Sequence, residues 1–511
     1  MLHGSNAIIA RLHPIDLLII FGYLGGILAA GGWFGRRQKD TRQYFFGGRQ
    51  VPWWAIAGSI VATETSAVSF ISVPGMAYSR GGNFTFLQLV FGYLVGRIVI
   101  SILFIPSYFQ GQLATVYELL QNRFGGAVKG LAASLFIMMR TVADAVRLLL
   151  TSIVLASVYR VFHSGGSGDA YAISVSILII GAVMITFTLL GGIEAVIWTE
   201  AAHIGVYIVG AIVAGWVLVS KIPGGLHGAI AVAEAHQKFR LLDFVFDPTH
   251  PYTFWSGLIG GCFLTMSTHG TDQSIVQRYL CTDKPRKAQI ALLTSGLVVL
   301  LQFIGFLFLG VLLFAFYRPD RLPNYMTGSK ALPFELADQV FPDFITHHLP
   351  IGLSGLVVAA VLAAATSPNV NAIAMTAVSD LYRPLVRGRE DRHYLRVSRL
   401  LTVVAGLAQI GVALAMQRQG RSALDTALSV AALINGPILG VFLLAALKRG
   451  GPVAAFAGMA VGISVVATVW LGTQIAWPWY TVIGSLSTLA VGLVTASLTG
   501  NRAAGEPVTS K

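Results

Sequence analysis

From Ala288 to Tyr317 the chain contains no Asp, Glu, Lys or Arg. That run is longer than the roughly 20 apolar residues a helix needs to cross the hydrocarbon core of a bilayer. A helix apolar on every face must be surrounded by protein or lipid. Thirteen runs of this kind follow one another, near 15–34, 53–77, 86–109, 128–160, 172–190, 195–219, 253–271, 287–317, 351–380, 398–417, 424–446, 452–472 and 477–498. Only 11% of residues are charged, against about 25% in soluble domains, and the mean hydropathy is +0.72. Disorder and a disulfide scaffold are excluded, the latter because Cys262 and Cys281 are the only cysteines. The +13 net charge sits in short clusters between apolar runs rather than in one patch, so it does not point to nucleic acid. The expected fold class is an all-α polytopic membrane protein of about 13 helices, one transmembrane domain over 1–511.

Lysine and arginine alternate between the connecting loops. One set of loops carries 21 of the 35, including Arg36, Arg37, Arg278, Arg383 and Arg399, and the other set carries 11. Cytoplasmic loops hold the excess, which predicts a cell inner membrane location with the amino terminus outside and the carboxyl terminus in the cytoplasm. The opening MLHGSNAIIARLHP lacks a small-residue cleavage pattern and is expected to stay in the mature chain. Two longer outer loops contain HGAIAVAEAHQKF and PFELADQVFPDF, expected as short helices on the outer face. The turn LGGIEAV separates the fifth and sixth spans.

Charges within spans are functional candidates because burying them in lipid is costly. They are Glu64, Arg97, Arg140, Asp144, Arg147, Glu200, His203, His269 and Asp272. Several stand near span ends, where snorkelling is the plain explanation. Arg140, Asp144 and Arg147 share one helix face. They form either a self-neutralised cluster or, since two arginines face one aspartate, a source of one free guanidinium for a carboxylate, with Arg147 favoured. His203 and His269 are too few and too separate for a di-haem carrier.

Two spans look discontinuous. The second offers a hydroxyl or carboxylate at five of the seven positions Thr63 to Ser69, and has Pro74–Gly75 beyond. The seventh, SGLIGGCFLTMSTHGTDQ, has the same character. In the ninth, Pro368 has no N–H and frees the carbonyl of Ala364 beside the hydroxyl of Ser367. A closed helix with hydroxyl back-bonding, or a simple proline kink, is the plain alternative. Freed carbonyls at broken helices are how many carriers bind cations.

FFGGRQVPWWAIAGSIVATETSAVSF, TVYELLQNRFG, GGIEAVIWTE, GTDQSIVQRYL and GLSGLVVAAVLAAATSP occur in this order. Through them the chain resembles the sodium/solute symporters, a family of cotransporters for sugars, sialic acid, monocarboxylates, proline, pantothenate and iodide. The resemblance covers about residues 15–450. It implies a LeuT-like 5+5 inverted repeat with discontinuous helices 2 and 7. The first repeat would span 53–219 and the second 253–446, with peripheral helices at 15–34 and 452–498. It places the coupling Na+ at Ala62, Thr65, Ala364 and Ser367, with Pro368 where the family has a second hydroxyl. Glu200 matches the acid of the family's WTD motif and joins the cation set; its i, i+3 neighbour His203 opens a proton-coupled alternative. Substrate contacts are implied at Glu64, Ser66, Ser69, Gln88, Thr265, Thr268 and Ser429, with Arg147 as the anion partner. A zwitterion would satisfy both Glu64 and that arginine.

The expected function is a secondary active symporter, not an enzyme, coupling cation entry (Na+ first, H+ second) to uptake of a small polar solute. A transporter-like sensor is the rival from another class. No cofactor and no nucleic-acid partner are expected; the partners are the solute, Na+ and the lipid bilayer.

Overall fold

The computed structural model describes residues 13–36, 40–65, 67–110, 113–162, 169–317, 337–364, 369–419 and 421–499. Among them every regular element is helical. The surface is inverted relative to a soluble protein: Leu18, Phe21, Trp216 and Leu301 are between 58% and 74% exposed. Arg97, Gln88, Glu200 and Arg278 are buried. That arrangement suits a multi-pass membrane protein, with lipid outside and polar groups paired within.

Helix α1, Pro14–Gly35, begins with His13 and Asp16 as a capping box. Asp16 also accepts hydrogen bonds from the backbone N–H groups of Gly352 (2.7 Å) and Gly355 (2.9 Å). A residue of the first helix thus caps the start of a helix more than three hundred positions away. The next span is split into α2, Trp53–Glu64, and α3, Ala67–Tyr78, bent by 58° at the break. The local reason is competition for the backbone by polar side chains. Thr65 ends α2 out of helical conformation, its hydroxyl donating to Gln302 Oε1 at 2.8 Å. The Ser69 hydroxyl donates to the carbonyl of Glu64 at 3.2 Å.

Helix α4, Leu87–Leu103, and α5, Gly126–Phe162, flank this break. Helix α6, Asp169–Lys221, is 53 residues long, about 80 Å if straight, which far exceeds a bilayer core of about 30 Å. It folds as two segments because Gly192 takes φ 55°, ψ −162°, a backbone region open essentially to glycine alone. The LGGIEAV turn is therefore a sharp break at Gly192 between two helical segments, as the sequence predicts.

The seventh predicted span divides into a π turn, Ser256–Gly260, then α7, Gly261–Gly270, and α8, Gln273–Tyr279. Helix α9 covers Pro285–Phe316, bounding the chargeless run. In the ninth, α10 covers Leu353–Ala364 and α11 covers Val370–Thr376, which runs into a π turn, Ala377–Tyr382; residues 365–368 lie outside the described residues. Four long helices complete the chain: α12, Asp391–Gln419; α13, Arg421–Ala446; α14, Pro452–Gly472; and α15, Pro478–Leu498.

Of the two expected surface helices, one covers Gly225–Ala235 and the other Val340–His348. Beyond the first, Lys238 is almost fully buried and donates to the carbonyls of Ala77 (2.9 Å), Tyr78 (3.3 Å) and Ser79 (2.6 Å). Its ammonium also lies 4.0 Å from the centroid of the Phe314 ring. This loop lysine covers the end of α3, where carbonyls lack helical partners.

Candidate functional site

The breaks at α2/α3 and α7/α8, with α4, α5 and α9 closing the sides, enclose a cavity of about 280 Å³. Phe86, Tyr93 and Phe303 supply aromatic wall, and Thr265, Thr268 and Ser69 supply hydroxyls. A larger recess of about 540 Å³ opens on the surface beside Asp40, Arg42 and Glu194. The smaller cavity is the candidate site because the broken helices and the intramembrane charges converge on it.

Each charge in the cavity has a specific place. Glu64, the last residue of α2, forms an ion pair with Arg97 of α4. Arg97 is fully buried and fits because α9 carries a glycine opposite: a Cβ at Gly296 would lie 2.8 Å from Arg97 Cδ. His269 Nε2 stands 3.3 Å from the other Glu64 oxygen, and its Nδ1 is 2.9 Å from the Thr268 hydroxyl. His269, considered as a haem ligand from sequence, is therefore part of a Glu64–Arg97–His269 cluster. The partner of Arg97 thus comes from a different helix, α2.

On α5 the three aligned charges separate. Arg140 donates through Nε to Asp272 at 2.8 Å and pairs through Nη2 at 2.6 Å; Asp272 is the N-cap of α8. Asp144 accepts from Asn369 Nδ2 at 3.0 and 3.2 Å and from Gln409 Nε2 at 3.4 Å. Arg147 lines the cavity and makes no hydrogen bond or ion pair through its guanidinium to any described residue. Among the described residues it is the cavity guanidinium with no carboxylate at ion-pair distance; Asp144 on the same helix acts on it only through space.

Glu200, expected in the cation set, is buried on α6 and held by Arg278 of α8. Arg278 Nη2 lies 2.9 and 3.0 Å from the two carboxylate oxygens. The Ser59 hydroxyl also donates to Glu200, and accepts from Arg278 Nε at 2.8 Å. Arg278 was counted from sequence as a loop charge; it is instead 2% exposed. Its position inside GTDQSIVQRYL was the one signal for it. His203 Nε2 is buried without a hydrogen-bond partner among the described residues.

Gln88 does not face the cavity. Its Nε2 donates to the carbonyls of Thr85 (3.1 Å) and Tyr252 (2.9 Å), and its Oε1 accepts from the Asp243 N–H at 2.9 Å. Both of its N–H donors are engaged, and the bonds to Tyr252 and Asp243 tie α4 to the outer loop. Of the expected Na+ ligands, Ala62 and Thr65 lie at the end of α2, and Ala364 is the last described residue of α10. Ser367, Pro368 and Ser66 fall outside the described residues, as does the side chain of Ser429 on α13.

A family model described as the sodium:solute symporter family matches residues 44–488. The sodium/sialic acid symporter NanT of Aliivibrio fischeri is 30% identical over 502 residues, covering 95% of this chain and 94% of its own. The human sodium/iodide cotransporter is 29% identical over 458 residues, covering 88% of this chain and 67% of its own. Among solved structures, a Na+-coupled sialic acid symporter, substrate-bound and outward-open, superposes with a TM-score of 0.83 at 28% identity. It covers 96% of this chain and 99% of that one.

Proposed function

The chain belongs to the sodium:solute symporter family, and from that premise we propose that its central cavity takes a small organic anion whose carboxylate is met by Arg147. The protein is a Na+-coupled solute symporter. The observation that carries the choice of an anion is the unmatched Arg147 guanidinium facing the cavity. Arg97 and Arg140 are already balanced by Glu64 and Asp272. With Glu64 so engaged, the described residues lining the cavity hold no carboxylate outside an ion pair, so a net anion fits better than a zwitterion. A guanidinium in a water-poor cavity gives directional, bidentate recognition of a carboxylate. Relatives named for sialic acid, iodide and monocarboxylates support the same reading.

In this reading Na+ binds where α2 ends and α10 breaks, at Ala62, Thr65, Ala364 and Ser367. Thr268, Thr265 and Ser69 supply hydroxyls to the solute's polar face. Na+ draws the end of α2 toward α10 and so shapes the Glu64–Ser69 segment that borders the cavity; by linkage, ion and solute raise each other's affinity. The Arg278 clamp argues against Glu200 as an exchangeable proton carrier, which leaves Na+ as the coupling ion. We further infer the 5+5 inverted repeat over 53–219 and 253–446, about 13 spans, and an outside amino terminus from the 21-to-11 division of basic residues.

The test is uptake into proteoliposomes under an inward Na+ gradient, comparing sialic acid, short monocarboxylates and a neutral hexose. Arg147→Gln is expected to raise the KM for the transported carboxylate by about a hundredfold, in line with loss of one partner of a buried charge pair. Transport of the neutral sugar alone, indifferent to this substitution, would refute the anion reading.

A further inference from the structure

On the lipid-facing side, α1, α6 and α12 border a recess of about 570 Å³. One end is basic: Arg36 ends α1 and Arg399 lies on α12, both exposed. Neither makes an ion pair with a carboxylate among the described residues. The remainder is apolar, with Leu189 and Leu190 on α6 and Leu400 and Val403 on α12. Two glycines shape it. A Cβ at Gly35 would strike the Leu190 carbonyl oxygen at 2.3 Å, so α1 meets α6 there. A Cβ at Gly32 would meet nothing within 4 Å, so the hollow opens beside that contact.

We propose that this groove binds an anionic phospholipid, with the phosphate between Arg36 and Arg399 and an acyl chain along Leu189, Leu400 and Val403. Any lipid chain can fill an apolar hollow in a membrane. Two guanidiniums at its end, with no carboxylate paired to them among the described residues, select a negatively charged headgroup, and arginine matches phosphate bidentately. The position also matters for the transport cycle. Leu189 and Leu190 immediately precede the Gly191–Gly192 bend, so a bound lipid would touch α6 where its two segments meet, and would bridge it to α1 and α12.

The experiment is titration of the delipidated, detergent-purified protein with dioleoyl phosphatidylglycerol, dioleoyl phosphatidylcholine or glycerol phosphate, read by native mass spectrometry. Phosphatidylglycerol should be retained in preference to the other two. Arg36→Gln with Arg399→Gln should weaken its binding on the order of thirtyfold, from about one surface charge's worth of attraction per arginine. Gly32→Leu, which fills open space, should weaken it with both arginines intact. Equal retention of the two lipids, equal retention by the arginine variant, or glycerol phosphate binding as well as the intact lipid would overturn the proposal.

Discussion

One guanidinium nitrogen of Arg278 stands 2.9 and 3.0 Å from the two carboxylate oxygens of Glu200. The two residues are 2% exposed each and 78 positions apart in sequence. The pair joins α6 to α8, and through Ser59 to α2, so three elements around the broken second span meet at one buried charge pair.

Breaking that pair from one side should cost more than removing it whole. Arg278→Met or Glu200→Met alone leaves an uncompensated buried charge, worth about 3–5 kcal/mol of stability. The double substitution removes both charges and should be much less damaging than the sum. Thermal unfolding of the purified variants gives the cycle; a strictly additive double variant would show that the two side chains do not depend on each other.

Glu64 and Arg147 should behave as opposites toward solute. Glu64→Gln frees Arg97 beside the cavity, so an anionic solute should bind at least as tightly as before, at the expense of thermal stability. Arg147→Gln should lose solute affinity. Solute-induced shifts in melting temperature separate the two, and a parallel loss of affinity in both variants would assign Glu64 to direct solute recognition instead.

Na+ should stabilise the purified protein specifically. A ligand that binds only the folded state adds about 2.7 kcal/mol at a hundred times its Kd. Replacing Na+ by K+ or choline at fixed ionic strength should remove that increment, and Ser367→Ala should abolish it. Stabilisation of equal size in K+, or one untouched by Ser367→Ala, would remove Ser367 from the cation site.

Lys238 predicts a slope on the alkaline side. Burial lowers its pKa from 10.5 to about 8, so between those values the unfolded chain holds the proton and the folded chain does not. Stability then rises with pH from about 8 to 10.5 and this contribution is flat below. The neutral amine still donates to the carbonyls of Ala77, Tyr78 and Ser79. Lys238→Met should lower the melting temperature at pH 7, because those carbonyls lose their donor, and should flatten the alkaline rise; an unchanged slope would place the titration elsewhere.

Periodicity, apolar run length and motif order determined by themselves that this chain lies in a membrane, that its second span breaks, and which family it resembles. Those properties are local: a helix spans or breaks according to the residues along it, and Thr63–Ser69 compete with their own backbone wherever they are. The sequence also marked Glu64, Arg97, Arg140, Arg147 and Glu200 as charges within spans, because the cost of a charge in lipid does not depend on its neighbours, but it left Arg278 among the loop charges. Tertiary structure alone decided the partners. Glu64 finds Arg97 33 positions on, Arg140 turns from Asp144 to Asp272, and Arg278 leaves the loop charges to clamp Glu200. Gln88 spends its amide on the outer loop. Such pairings depend on the rotation and register of helices distant in the chain. No spacing rule encodes these, and they leave Arg147 without a carboxylate at ion-pair distance among the described residues.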